Sequence, residues 1–178
     1  MGSKNKLKRF NENETFANVF QPTREEMIAD SLSLKGNWNK NFFKNNNPIV
    51  LELGCGKGEY SVGLAQMYPD KNFIGIDIKG ARFWRGAKTA VEENINNVAF
   101  LRTQIELIEH SFAKDEVDEI WITFPDPQIK YKRTKHRMTN AEFLINYKKI
   151  LKPNGLMHLK TDSEFMHGYT LGLLHGAG

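Results

Sequence analysis

Ile49-Val50-Leu51-Glu52-Leu53-Gly54-Cys55-Gly56-Lys57-Gly58 decides how the rest of the chain is read. A short, nearly unbroken apolar run that ends in spaced glycines predicts a strand buried on both faces. Glycines after such a strand let the backbone turn and approach a ligand, and the helix that follows offers free N–H groups. Reading outward, Glu59 to Tyr68 predicts a helix stopped by Pro69-Asp70, and Asn72 to Asp77 a second strand. Gly80 to Glu93 has helical spacing, Val98 to Arg102 reads as a third strand, and Ile105 to His110 as a short helix. Val117 to Phe124 is a fourth strand, closed by Pro125-Asp126-Pro127. Thr139 to Leu151 predicts a helix with a Thr cap, Leu156 to Lys160 a fifth strand, and a last helix starts near Asp162. This alternation implies an α/β, doubly wound, mostly parallel sheet with helices on both faces. Ligands in such folds sit at the carboxyl ends of strands, which singles out Glu52, Asp77, Asp126 and Asp162.

Upstream of this regular part, residues 1 to about 22 are rich in Lys and Asn, with Phe10, Phe16 and Phe20 among them; they read as an arm, partly disordered on its own. Thr23 and Glu26 are spaced as a capping box, and Trp38, Phe42 and Phe43 fall at helical spacing as core aromatics. The expected organisation is a basic arm and lead-in over residues 1–36 and one domain over 37–178.

The chain has 178 residues, 40% apolar and 26% charged, which suits one globular domain and argues against wholesale disorder. A single cysteine, Cys55, excludes an internal disulfide framework and a four-Cys zinc site. The five histidines show no metal-ligand spacing, so no metal is expected. No apolar run approaches the length of a membrane span, and MGSKNKLKRF has no apolar stretch behind it, so the cytoplasm is the expected compartment. The net charge of +4 is unevenly placed. Lys4, Lys6, Lys8 and Arg9 form one basic segment, and Lys130, Lys132, Arg133, Lys135 and Arg137 another. Setting those nine aside leaves 16 basic residues against 21 acidic ones, a net of −5. Such segregation points to an anionic partner such as nucleic acid.

The glycine spacing, Gly54-x-Gly56-x-Gly58, is not the G-x-G-x-x-G of dinucleotide sites. Glu52 would repel a pyrophosphate and attract a cation. S-adenosyl-L-methionine carries a sulfonium and an ammonium group, and its methionine end suits that acid. Asp77, at the end of the next strand, is able to accept both ribose hydroxyls. Gln104, after the third strand, is able to bond the adenine edge, because its amide both donates and accepts. The combination resembles the class I S-adenosylmethionine-dependent methyltransferases. Glu52, Gly54, Gly56, Gly58, Asp77, Gln104 and Asp126 form the expected cofactor set.

Phe124-Pro125-Asp126-Pro127, Lys130 four residues after the aspartate, the basic run to Arg137, and Lys160-Thr161-Asp162 after the fifth strand together resemble the bacterial tRNA (guanine-N7-)-methyltransferases. The likeness covers Pro48 to about Phe165. It implies a catalytic or substrate-positioning role for Asp126 and substrate contacts at Lys130 and Asp162. It also implies RNA contacts at Lys132, Arg133, Lys135, His136 and Arg137, and a target guanine at position 46 in the tRNA variable loop. The sequence departs from the family at Gln128-Ile129, where Trp-Pro is usual, at Gln104, where an acid is usual, and at His136-Arg137, where arginines are usual. The family also continues with further strands and a Thr-x-x-Glu segment after the point where this chain reads His175-Gly176-Ala177-Gly178, so C-terminal edge strands are expected to be missing. Two other readings remain beside this one: a methyltransferase acting on another RNA or a small molecule, and a non-catalytic remnant that binds RNA and cofactor. The oligomeric state, monomer or homodimer, is left open.

Overall fold

Ile49–Leu53 (β2) and Asn72–Asp77 (β3) are buried at every residue, the pattern of strands covered on both faces. In the computed structural model, which describes residues 3–176, they pair in parallel, Leu51 opposite Ile74 and Leu53 opposite Ile76. Val19–Phe20 (β1), Val98–Arg102 (β4), Val117–Thr123 (β5) and Leu151–Lys160 (β6) complete a six-stranded sheet. Its order is β1-β4-β3-β2-β5-β6, and every neighbouring pair is parallel. β3 and β4 lie on one side of β2, and β5 and β6 on the other. The direction of winding therefore reverses at β2, and such a reversal opens a crevice at the strands' carboxyl ends.

The period of two along each strand divides the core. Leu51, Leu53, Ile74, Ile76, Ile120 and Ile122 pack on one face with Trp38, Phe112, Phe143 and Tyr147. Val50, Phe73 and Phe100 pack on the other, against Glu59–Met67 (α3) and Gly80–Glu92 (α4) through Val62, Ala65, Phe83 and Ala87. Glu52 shares that second face with Val50, which turns its carboxylate toward α3. The two helices meet very closely. A Cβ at Gly86 would stand 2.9 Å from the backbone of Gly58, and one at Gly58 would stand 2.5 Å from the Phe100 ring.

Several local expectations change in the structure. The N-terminal arm is ordered: Ser3–Asn13 (α1) is a helix against α4, where the Asn13 side chain donates to the Gly80 carbonyl at 2.9 Å. Val19–Phe20 pairs with Phe100 and Leu101 of β4. The apolar spacing of Phe10, Phe16 and Phe20 within a polar segment hid this docking. Met1, Gly2, Ala177 and Gly178 lie outside the described residues, as does the Lys4 side chain. Thr23 and Glu26 do form the capping box that opens Arg24–Ile28 (α2), and Trp38–Phe43 is a π-helical turn in the core. Ile108–Ser111 (α5) is short, as expected.

Ala141–Ile150 (α6) is capped by Asn140, whose side chain accepts from Phe143 N, rather than by Thr139. Thr139 is buried and bonds the Thr170 hydroxyl at 2.7 Å, tying α6 to Glu164–Gly176 (α7). β6 starts at Leu151, five residues before the expected Leu156, because an irregularity between Val117 and Glu119 accommodates Pro153 to Gly155 within it. Phe83 is core, whereas Trp84 is only half-buried, between α1 and α4.

Candidate active site

The glycine turn after β2 is held from the end of β3. Gly54 and Cys55 donate to the Ile76 carbonyl at 2.8 and 2.9 Å. Asp77 Oδ2 accepts from Gly56 N at 3.0 Å, and its Oδ1 accepts from Lys79 N at 2.8 Å. Gly54 has φ +72, a left-handed conformation that favours glycine. Asp77 therefore fixes the turn as well as facing the crevice. Gly58 has a different place: its close approach to Phe100 and Gly86 packs helix on sheet.

Glu52 is only 4% exposed. One of its oxygens accepts from the Thr123 hydroxyl at 2.6 Å and the other from the Ser61 hydroxyl. Burial pushes its carboxyl above the usual range; the two hydroxyls pull it partly back, and the neighbouring Asp77 charge adds to the rise. Among the described residues no Lys, Arg or His comes within 4 Å of it. A buried carboxylate without a cation is a costly arrangement. A sulfonium and ammonium ligand would supply the missing positive charge, so this donor set fits S-adenosyl-L-methionine. Cys55 is buried beside it, and burial together with the Glu52 and Asp77 charges raises its thiol well above the usual value, which leaves no nucleophile there.

A cavity of about 270 Å³ brings together Gly54, Asp77 and Gln104 with Ile78, Met138 and His136. Three of the expected cofactor residues and one of the expected RNA residues thus share one wall. Gln104 is held by Arg24 of α2, whose guanidinium donates to its side-chain oxygen. Arg24 takes one lone pair of that oxygen, and the amide N–H groups of Gln104 remain as donors for a ligand. Neither Arg24 nor Arg82, whose guanidinium lies 3.4 Å from where a Gly56 Cβ would be, was found from the sequence. Arg24 carried no signal, while Arg82 stands in the first turn of the helix after Asp77, where such a role was open to inference.

Asp126 lies elsewhere, exposed, in a shallow hollow with Lys130, Lys132 and Arg133. It is not among the residues lining the Gly54–Asp77 cavity. Its Oδ1 accepts from Gln128 N at 3.0 Å. Phe124 and Gln128, on either side, have φ +47 and +49. Left-handed backbone at two non-glycine residues stores about 1–3 kcal/mol each, and such strain gathers at functional loops. Lys160 stands at the same strand ends, between the rings of Tyr60 at 5.3 Å and Phe124 at 5.6 Å. Asp162 is exposed and caps nothing; Ser163 Oγ accepts from Met166 N in the first turn of α7.

Residues 131–136 form a 3-10 segment on which Lys132, Arg133, Lys135 and His136 are exposed. Arg137, expected to contact RNA with them, is instead 5% exposed. Its guanidinium donates to the Gln128 and Ile129 carbonyls and lies over the rings of Phe165 and Tyr169. It clamps the loop from inside, and we leave it out of the RNA-facing set. A larger, mostly apolar hollow of about 510 Å³ runs along α3 past Tyr60, Leu64, Met67 and Trp121, and holds none of the expected residues. Among the described residues no group of three His, Cys, Asp or Glu is placed to hold a metal ion, and no helix is long and apolar enough to cross a membrane.

Residues 46–175 match the family model described as "Putative methyltransferase". The chain is 75% identical over 178 residues to a tRNA (guanine-N(7)-)-methyltransferase of Christiangramia forsetii, spanning all of this chain and 80% of that one. A protein of the same name from Bacteroides fragilis is 53% identical, over 98% of this chain and 69% of its own length. Among solved structures, the aminoglycoside resistance methyltransferase NpmB1 superposes with a TM-score of 0.55 at 19% identity, covering 88% of this chain and 69% of that one. The antibiotic-resistance methyltransferase Kmr gives 0.52 at 17%, covering 81% and 71%. These two establish the Rossmann-like fold.

Proposed function

The chain belongs to the tRNA (guanine-N(7)-)-methyltransferases, and we propose that it performs that reaction at the carboxyl ends of β2, β3 and β5. It is an enzyme that uses S-adenosyl-L-methionine to methylate N7 of a guanine in tRNA. The finer target we infer is position 46 in the variable loop, and the compartment is the cytoplasm, where that substrate is found.

The observation that carries this reading is the pairing of Glu52 with the adjoining cavity. A buried carboxylate without a cation stands where the glycine turn, Asp77 and Gln104 form a wall suited to an adenosine. In the proposed complex Glu52 faces the cationic end of the cofactor, Asp77 the ribose hydroxyls, Gln104 the adenine edge, and Gly54 and Gly56 the close backbone approach. When bound, the cofactor supplies an electrophilic methyl group on sulfur. Guanine N7 has a free lone pair at neutral pH, so no proton has to be removed before it attacks. Positive charge passes to the base, and the chain's own task is alignment and charge stabilisation.

Asp126 is the group proposed for that task. Its free oxygen is available to the guanine N–H edge, with Lys130 and Asp162 beside the substrate. The exposed cations Lys132, Arg133 and Lys135, with His136, bind phosphate without reading sequence. Tyr131, 93% exposed at the head of that segment, offers a ring on which a base can stack. Turnover and cofactor affinity of Asp126→Ala test the assignment. Turnover should fall by about a hundredfold or more, as for loss of a charge-stabilising group, with cofactor affinity little changed. Equal turnover would remove Asp126 from the chemistry.

A further inference from the structure

The basic N-terminal segment has no part in the site just described, yet the fold places it beside that site. α1 packs along α4, which springs directly from the end of β3 after Asp77. Between the two helices lies a hollow of about 270 Å³ lined by Lys6, Phe10, Ile78, Lys79 and Arg102. Ile78 also lines the Gly54–Asp77 cavity, so the two share part of a wall.

Farther along, Trp84 forms a focus of positive charge. The guanidinium groups of Arg9 and Arg85 and the ammonium of Lys88 lie 4.7, 5.3 and 5.1 Å from its ring. Its indole N–H donates to Glu12 at 2.9 Å, and Lys88 also pairs with Glu12 at 3.3 Å. Glu12 offsets only part of this charge. Among the described residues Lys6, Lys79, Arg9, Arg82 and Arg85 have no carboxylate within 4 Å, and all five are exposed. Arg82, Arg85 and Lys88 follow one another at i, i+3 and i+6, so they share one face of α4. That row begins above the glycine turn and leads away from it.

We propose that this α1–α4 face is a second surface for the RNA backbone, so that tRNA spans the cofactor cavity from the 131–136 segment to α1 and α4. The proposal rests on the tRNA reading above and adds where else the substrate is held. The two basic surfaces leave the sheet on opposite sides of the reversal at β2, and the cavity lies between His136 and Met138 on one flank and Ile78 on the other. A phosphate chain meets exposed, unpaired cations on both sides. Trp84 keeps two of them, Arg9 and Arg85, together without neutralising either.

The test is binding of unmodified tRNA without cofactor, measured across a salt series, for the full chain and for Lys6→Ala/Arg9→Ala/Arg85→Ala. Losing three phosphate contacts should lower the slope of log affinity against log salt by about 2 to 3. The KM for tRNA should rise by about tenfold or more, while S-adenosylhomocysteine affinity stays the same. Should the triple variant melt early, the surface change Arg85→Glu gives the same readout without touching α1. An unchanged slope and KM in a stable variant would overturn the proposal. A wild-type chain that neither binds nor methylates tRNA would instead count against the function itself, so the two failures are distinguishable.

Discussion

The carboxylate of Asp77 reaches back 21 residues to accept the backbone N–H of Gly56 at 3.0 Å. Its other oxygen takes the N–H of Lys79. Asp77→Ala would leave both donors unmatched in a partly buried place, at up to about 1 kcal/mol for each group left to water. A lowered melting temperature together with a large loss of S-adenosylhomocysteine affinity is the expected outcome of calorimetry and titration. Loss of affinity at unchanged stability would mean that Asp77 serves the ligand alone.

Glu52 sets stability against binding. Its folded-state pKa is raised, chiefly by burial, so the folded chain holds this proton more tightly than the unfolded chain does. Its ionisation therefore costs stability as pH rises from the ordinary carboxylate value through the raised one. Glu52→Gln should melt at the same or a higher temperature near neutral pH and bind the cofactor at least about tenfold more weakly, as for a removed charge partner. Wild-type affinity should fall on acidification through that same raised value, and the variant's should not. A variant with wild-type affinity would contradict the placement of the cationic end.

Gly86 lies within α4, where alanine would ordinarily be favoured by about 1 kcal/mol. Its Cβ, however, would meet the backbone of Gly58 at 2.9 Å, and backbone cannot turn aside. Gly86→Ala should therefore destabilise by about 1–3 kcal/mol, as overpacked cores do. Denaturant unfolding gives the sign, and a stabilised variant would show that the two helices can separate freely.

Arg137 and its exposed neighbours should separate in a salt series. Lys132→Ala/Lys135→Ala is expected to weaken tRNA binding and lower the salt slope by about 2. Arg137→Ala removes a buried guanidinium bonded to two carbonyls and covered by two rings, so it should lower the melting temperature. Equal salt slopes for both variants, with Arg137→Ala fully stable, would return Arg137 to the RNA surface.

The sheet and its helices were legible because strands buried on both faces are apolar runs, and Ile49–Leu53 and Asn72–Asp77 were found at their true bounds. The arm was misread because α1 is polar on most sides and gains its order from contacts with α4, which no local pattern displays. Thr139 and Asn140 are both competent caps, and only the tertiary bond from Thr139 to Thr170 decides between them. Of the residues expected at strand ends, Gly54, Asp77 and Gln104 line one cavity, while Glu52 is buried beneath the glycine turn and Asp126 lies outside that cavity. Arg24 and Arg137 could not be placed, since the sequence shows a charge but not whether it faces Gln104, two carbonyls or water.

Incubating the chain with S-adenosyl-L-methionine and unmodified tRNA, then mapping the added methyl by nucleoside and fragment mass spectrometry, decides between these outcomes. The expected product is 7-methylguanosine, confined to the variable loop and lost in Asp126→Ala. Methyl groups on another atom or another base, or cofactor bound with nothing transferred, would contradict it.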